Sequence, residues 1–149
     1  MADPSDPNAA LPAPSDLIPH RAPFLFIDEL TEMVPGESAT GLWRLTGDEA
    51  FFAGHFPSRP TLPGVLMCEA IAQLGACAVL SDERFAGKLP LFGGLDGARF
   101  RRQVGPGDTL ELRVELGRMS ARAGKGSGTA SVDGQVATSC DLMFVLVDA

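Results

Sequence analysis

Two ionisable side chains stand out because of the residues around them. His55 lies in a loop rich in glycine and proline, and Glu69 lies in the most apolar stretch of the chain. Histidine is the usual side chain for proton transfer near neutral pH. A carboxyl group among apolar residues tends toward its protonated form, because an isolated buried charge is costly, and it can then act as an acid. Gln73 follows Glu69 by four residues, so both occupy one helix face.

The start of the predicted helix adds a place for negative charge. Gly64 opens this helix, and the first N–H groups of a helix have no partner within it. At 1.5 Å per residue, Gly64 and Glu69 are about 7.5 Å apart along the axis. An acyl thioester could place its carbonyl oxygen at the helix start and its 3-hydroxyl group near Glu69. This arrangement suits elimination of water, with His55 taking the C2 proton and Glu69 protonating the departing hydroxyl.

The spacing alone leaves other interpretations open. A single loop histidine is often a structural hydrogen-bonding group. A glutamate beside a glutamine can be a satisfied core pair or a contact between subunits, since buried polar groups must be hydrogen-bonded. Other acid–base or binding roles fit the same residues.

The helix that must position Glu69 is predicted over residues 64–80. It contains only two polar side chains, Glu69 and Gln73, and two prolines precede it. A helix that is apolar on every side is either a buried helix or a membrane span. The run is short for a span and has a carboxylate near its middle, so we predict a central core helix.

Strand patterns surround that helix. Residues 109–116 alternate strictly between polar and apolar, which is typical of a half-buried antiparallel strand. Pro35-Gly36, Pro106-Gly107-Asp108 and Asp133-Gly134 are turn signals. The predicted fold class is α+β, with one long buried helix wrapped by an antiparallel sheet, and the uncovered side of the helix favours a dimer. The other predicted strands cover residues 24–30, 39–45, 91–92, 98–104, 128–132 and 136–147.

Length and composition limit the choice of function. The chain of 149 residues, 45% of them hydrophobic, fits one domain, which we place at residues 16–149. Residues 1–15 are rich in Pro, Ala, Asp and Ser and are expected to be a disordered leader without the pattern of an export signal. The net charge of −7 argues against a nucleic-acid partner, and no membrane partner is expected.

The cysteines and histidines do not form a pattern for metal binding. Cys68, Cys77 and Cys140 have no ligand-like spacing, and we interpret them as reduced thiols of a cytoplasmic protein. Cys68 and Cys77 are expected to behave as small hydrophobic residues in the helix. His20 is predicted to be structural, because its proline-flanked position offers no partner acid.

Several motifs resemble those of one enzyme family. The segments GHFP (54–57), PGVL (63–66) and EAIAQ (69–73) closely resemble the signature of FabZ-type (3R)-3-hydroxyacyl-[acyl-carrier-protein] dehydratases. The similarity extends to IPHR (18–21), PFL (23–25), DGARFRR (96–102) and PGD (106–108), from about residue 17 to the C-terminus. The resemblance implies a hot-dog fold, in homodimers that can assemble into hexamers. It also implies dehydration of (3R)-3-hydroxyacyl-acyl carrier protein to the trans-2-enoyl form, in fatty acid or related acyl or polyketide biosynthesis.

The resemblance also implies residue roles. Each active site would be shared, with His55 of one subunit facing Glu69 of the other. The Gly64 and Val65 N–H groups would bind the thioester carbonyl, and Gln73 would lie next to Glu69. No metal or organic cofactor is implied. The candidates for the acyl tunnel or its loops are Phe56, Pro63, Leu91 and Phe92, and Phe51, Phe52 and Phe56 are expected to line the core or the tunnel.

Some positions depart from the family pattern. Leu91 stands where the family often has a tyrosine that gates the tunnel, and the chain contains no tyrosine. The family often has Gly-Lys at the position of Ser58-Arg59 and Pro at the position of Gln103. A basic cluster, Arg99, Arg101 and Arg102, resembles the family's docking region for the acidic carrier protein, although alternate arginines also suit a solvated strand face.

Two other functions remain possible for a hot-dog protein. An acyl thioesterase would share the fold but would use a carboxylate to activate water. A non-catalytic subunit that binds acyl carrier protein is the second alternative. The presence of both His55 and Glu69 favours the dehydratase.

Overall fold

The computed structural model describes residues 10–149, so residues 1–9 of the predicted leader lie outside the described residues and their disorder stays a prediction. The last two residues of the predicted leader, Pro14 and Ser15, are ordered as the start of a helix. A short helix, α1, covers Pro14–Leu17, and the long helix, α2, covers Gly64–Leu80. Short 3-10 turns cover Ala50–Ala53 and Glu83–Phe85. The strands are β1 (Glu29–Val34), β2 (Ser38–Arg44), β3 (Lys88–Phe100), β4 (Thr109–Met119), β5 (Ala123–Val132) and β6 (Gln135–Asp148).

The six strands form one antiparallel sheet in the order β1-β2-β4-β5-β6-β3. The sheet wraps around α2, whose side chains join those of the sheet in one core. This arrangement is the hot-dog fold, which confirms the predicted fold class. It leaves β1 and β3 as the two edge strands.

Helix α2 has the predicted bounds, and its burial explains its composition. Ile71, Leu74 and Cys77 have no exposed surface, and Gln73 is only 1% exposed. The helix packs very close to β5 at Gly128, where a Cβ atom would lie 2.3 Å from the Ile71 Cγ2 atom and 2.7 Å from the Arg113 carbonyl oxygen. Glycine is therefore needed at residue 128, because a side chain there would push the helix away from the sheet.

The first predicted strand is wrong in position. Residues 24–27 are not part of a strand, and β1 starts only at Glu29. Phe26 and Ile27 are nevertheless buried. Their backbone lies against α2, where the Gln73 side chain accepts a hydrogen bond from the Phe26 N–H at 2.8 Å. The apolar run at this place therefore reflects packing against the helix, which periodicity cannot distinguish from a buried strand.

Strand boundaries after α2 differ from the prediction for local reasons. The runs 91–92 and 98–104 were predicted as separate strands, but residues 91–92 and 98–100 belong to β3, which ends at Phe100. Irregular pairing between Phe92 and Gly94 and between Asp96 and Arg99 interrupts its alternation. Strand β5 starts at Ala123, five residues before the predicted start at residue 128. The prediction missed these residues because alternate glycines leave no polar and apolar alternation to recognise.

The predicted turns are present. Asp133 and Gly134 have positive φ angles of 49° and 79° and join β5 to β6, as a tight hairpin of this sequence requires. Gly36, with φ of 73°, lies in the turn between β1 and β2. These turns set the register that brings the core faces of the strands onto α2.

Candidate active site

Glu69 lies in the second turn of α2, at the wall of a cavity and not in the closed core. Its side chain is 21% exposed, although its neighbours Cys68 and Ala70 are fully buried. The Gln73 amide donates a hydrogen bond to the Glu69 Oε1 atom at 3.2 Å. The carboxyl group is therefore held on one side and open to the cavity on the other.

Gln73 is itself held by the chain that precedes β1. Its Oε1 atom accepts from the Phe26 N–H at 2.8 Å, and its Nε2 atom donates to the Phe24 carbonyl at 2.9 Å. Nε2 has two N–H groups, and the second is directed to Glu69. Every polar atom of this buried side chain has a partner, so the amide can act as a rigid support for the carboxyl group.

His20 lies beside Glu69, and the prediction that His20 has no partner acid is wrong. The His20 Nε2 atom is 3.8 Å from the Glu69 Oε1 atom. The chain between α1 and β1 brings the two residues together across a long separation in sequence, which is why inspection of local sequence missed the contact. The IPHR resemblance was the only signal in the sequence that drew attention to His20.

The cavity at Glu69 has a volume of about 340 Å³. Its walls include the predicted residues Leu91 and Phe92, on edge strand β3, together with Gln73 and His20. The remaining lining residues are mostly apolar: Pro19, Ala72, Ala76, Leu89, Pro90 and Phe144. An apolar space beside a carboxyl group suits an acyl chain next to an acid.

His55 follows the 3-10 turn at Ala50–Ala53, in the loop before α2. Its Nδ1 atom is 2.7 Å from the Thr61 carbonyl oxygen. A carbonyl oxygen can only accept, so the hydrogen of this bond belongs to Nδ1. In the neutral ring Nε2 then has the free lone pair, which makes Nε2 the basic atom.

Phe56 does not line the core. Its ring stacks on the His55 ring, with centroids 4.1 Å apart, and its side chain is 51% exposed. Phe52, by contrast, is buried as predicted, and Phe51 packs against the core. Phe56 therefore restricts the orientation of the imidazole, while its other face lies at the surface.

A second cavity, of about 520 Å³, contains His55 and the start of α2. Pro63, Gly64 and Val65 line it, so the structure brings these predicted residues together. The Leu66 N–H bonds the Pro63 carbonyl at 2.9 Å, whereas the described residues offer the Gly64 and Val65 N–H groups no backbone acceptor. Both groups are available to an oxyanion at the positive end of the helix.

Glu69 and His55 of one chain line different cavities. The first cavity has Glu69 with Gln73, Leu91 and Phe92, and the second has His55 with the start of α2. The structure of one chain therefore places these two residues in two separate cavities.

Comparisons with known proteins identify the family. The profile of the FabA-like domain matches residues 18–141, most of the chain. The chain belongs to the FabA-like family. The resemblance to FabZ-type dehydratases, first seen in the motifs, is confirmed by the relatives.

Two FabA-like relatives have nearly the same extent as this chain. The 3-hydroxyacyl-[acyl-carrier-protein] dehydratase FabZ of Clostridium botulinum (strain Kyoto / Type A2) is 51% identical over 130 residues, which are 87% of this chain and 90% of that protein. The enzyme of the same name from Staphylococcus epidermidis (strain RP62A) is 51% identical over 133 residues, 89% of this chain and 92% of that protein. The solved dehydratase heterocomplex ApeI:P from Xenorhabdus doucetiae shares the fold, with a TM-score of 0.75 over 93% of each chain at 17% identity.

The arginine cluster of this FabA-like chain lies at and just beyond the end of β3. Arg99 is exposed, and its side chain donates to the adjacent Ala98 carbonyl at 3.1 Å. The Arg101 Nη1 atom donates to the Ser139 hydroxyl at 2.7 Å. Arg101 and Arg102 also line the cavity that contains His55.

Two of the departures from the family pattern contact each other. The Arg59 Nη2 atom donates to the Gln103 Oε1 atom at 2.7 Å. This bond joins the loop after His55 to the chain that follows β3. Sequence inspection treated residues 59 and 103 as separate changes, because their contact exists only in the folded chain.

The cysteines are buried and free. Burial raises the pKa of the Cys77 thiol to about 12, so this group stays protonated and unreactive at neutral pH. The packing role predicted for Cys68 and Cys77 agrees with this burial. Among residues 10–149, no three His, Cys, Asp or Glu side chains meet in an arrangement suited to a metal ion, and no helix is long and apolar enough to cross a membrane.

Proposed function

We propose that this protein removes water from (3R)-3-hydroxyacyl-acyl carrier protein to give the trans-2-enoyl thioester, in fatty acid or related acyl or polyketide biosynthesis. The observation that carries the proposal is 51% identity, over 87% of the chain, to a protein with that dehydratase name. In this proposal the two cavities are two half-sites of one active site, and their geometry suits the reaction. One half-site has a base beside an oxyanion site, and the other has an acid beside an apolar cavity.

His55 is the base in this mechanism. Its Nε2 lone pair takes the C2 proton of the substrate, while the Nδ1–H bond to Thr61 holds the ring and stabilises the imidazolium that forms. The electron pair of the broken C–H bond moves toward the thioester carbonyl. The Gly64 and Val65 N–H groups donate to the resulting enolate oxygen.

Glu69 completes the reaction as the acid. The enolate electrons form the C2–C3 double bond, the C3–O bond breaks, and the departing hydroxyl takes the carboxyl proton to leave as water. His55 has then gained one proton and Glu69 has lost one, and exchange with solvent restores both. The Gln73 amide stabilises the carboxylate that remains, because its N–H already points at Oε1.

A homodimer completes each site in this proposal. The separation of His55 and Glu69 into different cavities supports a site shared between two chains. Edge strand β3 supports a partner at the same place, because four of its large apolar side chains, Leu91, Phe92, Leu95 and Phe100, are between 39% and 53% exposed. Such an edge is rarely left unpaired in a stable protein. A hexamer, as a trimer of these dimers, is the larger form that the resemblance implies.

Acyl carrier protein is the proposed partner, and the arginine cluster at residues 99, 101 and 102 is its proposed docking site. The chain is acidic overall, with a net charge of −7, so a local basic patch would steer an acidic carrier to one place. Arg101 and Arg102 line the cavity of His55, where the thioester must arrive.

Reversing the charge of Arg99 should weaken docking without changing the chemistry. We expect Arg99→Glu to lower kcat/KM for a carrier-linked enoyl substrate about 10-fold and to leave a short pantetheine-linked substrate within about 2-fold of wild type. Within the described residues the Arg99 side chain has a hydrogen bond only to its neighbour Ala98, so the variant should remain stable. Arg118→Glu is the matched control, since residue 118 is exposed on β4. Equal losses with both substrates would contradict docking at Arg99.

The proposed activity is tested with the wild-type protein and a crotonyl thioester. Hydration, the reverse reaction, removes the enoyl absorbance, and a thiol reagent in parallel detects hydrolysis. Loss of absorbance without thiol release supports the dehydratase. Thiol release would identify the alternative hot-dog thioesterase, and carrier binding with neither reaction would identify a non-catalytic subunit.

We also propose that the protein works in the cytoplasm. Its three cysteines are free and buried, which suits a compartment where thiols remain reduced. Cys77 in particular is deep in the core, where a disulfide to another protein is not accessible.

A further inference from the structure

His20 is a second histidine next to the proposed acid, and the mechanism above gives it no task. Its Nε2 atom faces the Glu69 Oε1 atom at 3.8 Å, and its ring lines the same cavity as Glu69. The His20 Nδ1 atom is buried and has no hydrogen-bond partner in the described part of the chain. A polar ring placed in this way needs an explanation.

The buried Nδ1 atom indicates which nitrogen of His20 carries the hydrogen. An orphaned buried N–H donor is rarer and more costly in folded proteins than an acceptor that lacks a partner. Nδ1 is therefore the bare nitrogen of the neutral ring, and the hydrogen is on Nε2. The N–H group of the neutral ring is then on the atom that lies 3.8 Å from Glu69 Oε1.

One donor therefore bonds a carboxyl oxygen of Glu69, and a second lies near the same oxygen. The Gln73 amide donates to Glu69 Oε1 at 3.2 Å, and the His20 Nε2 atom lies 3.8 Å from that same atom, just beyond hydrogen-bond distance. In a protonated carboxyl group, one oxygen is a carbonyl that accepts and the other is a hydroxyl that donates. The Gln73 donor on Oε1 favours Oε1 as the carbonyl oxygen, which places the acidic proton on Oε2.

We infer that His20 is a positioning residue for the acid. When substrate fills the cavity, the His20 Nε2–H closes on Oε1, and His20 and Gln73 together hold the carboxyl so that Oε2–H faces the leaving hydroxyl. Catalytic hydrogen bonds are often long before substrate is bound and tighten in the complex. The same two donors stabilise the carboxylate after the proton has left. The inference rests on the proposed role of Glu69 as the acid.

The fold around His20 does not depend on its imidazole. Ile18 anchors this segment in the core with 2% exposure. The Arg21 guanidinium donates to the Ile18 carbonyl at 2.9 Å and to the His20 carbonyl at 2.7 Å. The side chain of His20 is 25% exposed. Replacing the ring should therefore leave the backbone in place.

Two substitutions test the inference by kinetics. His20→Phe keeps a ring but removes the donor, and His20→Gln restores an N–H donor at the end of the side chain. We expect His20→Phe to lower kcat for crotonyl thioester hydration about 10- to 100-fold, with KM within about 2-fold of wild type. We expect His20→Gln to recover at least half of that decrease in log kcat, because it restores a donor. A loss in KM alone, an unchanged kcat, or equal losses in both variants at unchanged melting temperature would overturn the inference.

The hydrogen position on His20 can be measured without any activity. Nitrogen-15 shifts of the imidazole distinguish a ring protonated at Nε2 from one protonated at Nδ1. We expect the Nε2–H form in the wild-type protein and a change in the Nε2 shift in Glu69→Gln. An Nδ1–H ring would overturn the inference even in an active enzyme. An inactive wild type with the Nε2–H form would instead contradict the proposed function and leave the contact with Glu69 established.

Discussion

Glu69→Gln and His55→Asn should each lower the rate of crotonyl thioester hydration about 10³-fold, because positioned acid or base groups contribute about 10²- to 10⁴-fold to such steps. The glutamine keeps the size of the acid and can still accept from Gln73, but it has no acidic proton. The asparagine keeps an N–H donor near the position of Nδ1, so the bond to the Thr61 carbonyl can persist while the basic Nε2 atom is removed.

The controls separate chemistry from folding. Glu111→Gln makes the same chemical change on the exposed face of β4 and should retain full activity. Melting temperature and oligomer size should match wild type in both active-site variants. Wild-type activity in either variant would remove that residue from the chemistry and would reopen the thioesterase and the non-catalytic subunit.

Mixing the two inactive variants should restore activity if the site is shared between subunits. A heterodimer of His55→Asn and Glu69→Gln has one site with both changes and one site with an intact His55 and an intact Glu69. Random exchange makes half of the dimers heterodimers, each with one working site, so an equal mixture should reach about a quarter of the wild-type rate. Hydration of the crotonyl thioester is measured after subunit exchange under mild denaturation and refolding.

The controls for the mixture are the two variants refolded separately, which should stay inactive, and wild type refolded alone, which should recover. Continued inactivity of the mixture, with wild-type recovery and heterodimers detected by mass, would place both residues in a site within one chain. The experiment therefore tests the shared site separately from the identity of the acid and base.

The apolar cavity at Glu69 suggests how the acyl chain is accommodated. Leu91 and Phe92 form its wall from edge strand β3, and the resemblance to FabZ-type dehydratases implies a tyrosine at the position of Leu91. An aliphatic side chain at residue 91 cannot close the cavity with a hydrogen bond, because it has no polar atom. Contacts with the acyl chain at this position are therefore limited to packing.

The sequence by itself determined the central helix and the core of β4. Segment 64–80 has so few polar residues that it could only be stable as a buried helix, and the structure has the same bounds. The strict alternation of residues 109–116 likewise determined the core of β4. Local patterns predict these segments correctly because the same pattern of burial extends along the whole helix or strand.

Tertiary structure alone decided what surrounds Glu69. Residues 24–27 look like a strand because they are apolar, yet they contact the helix through Gln73 and make no strand pairs. His20 approaches Glu69 across 49 residues of sequence, and Arg59 reaches Gln103 across 44. Such contacts depend on how distant segments come together in the folded chain, which a local sequence pattern cannot predict. The same reason applies to the separation of His55 from Glu69, since the number of residues between them says nothing about which cavity each side chain lines.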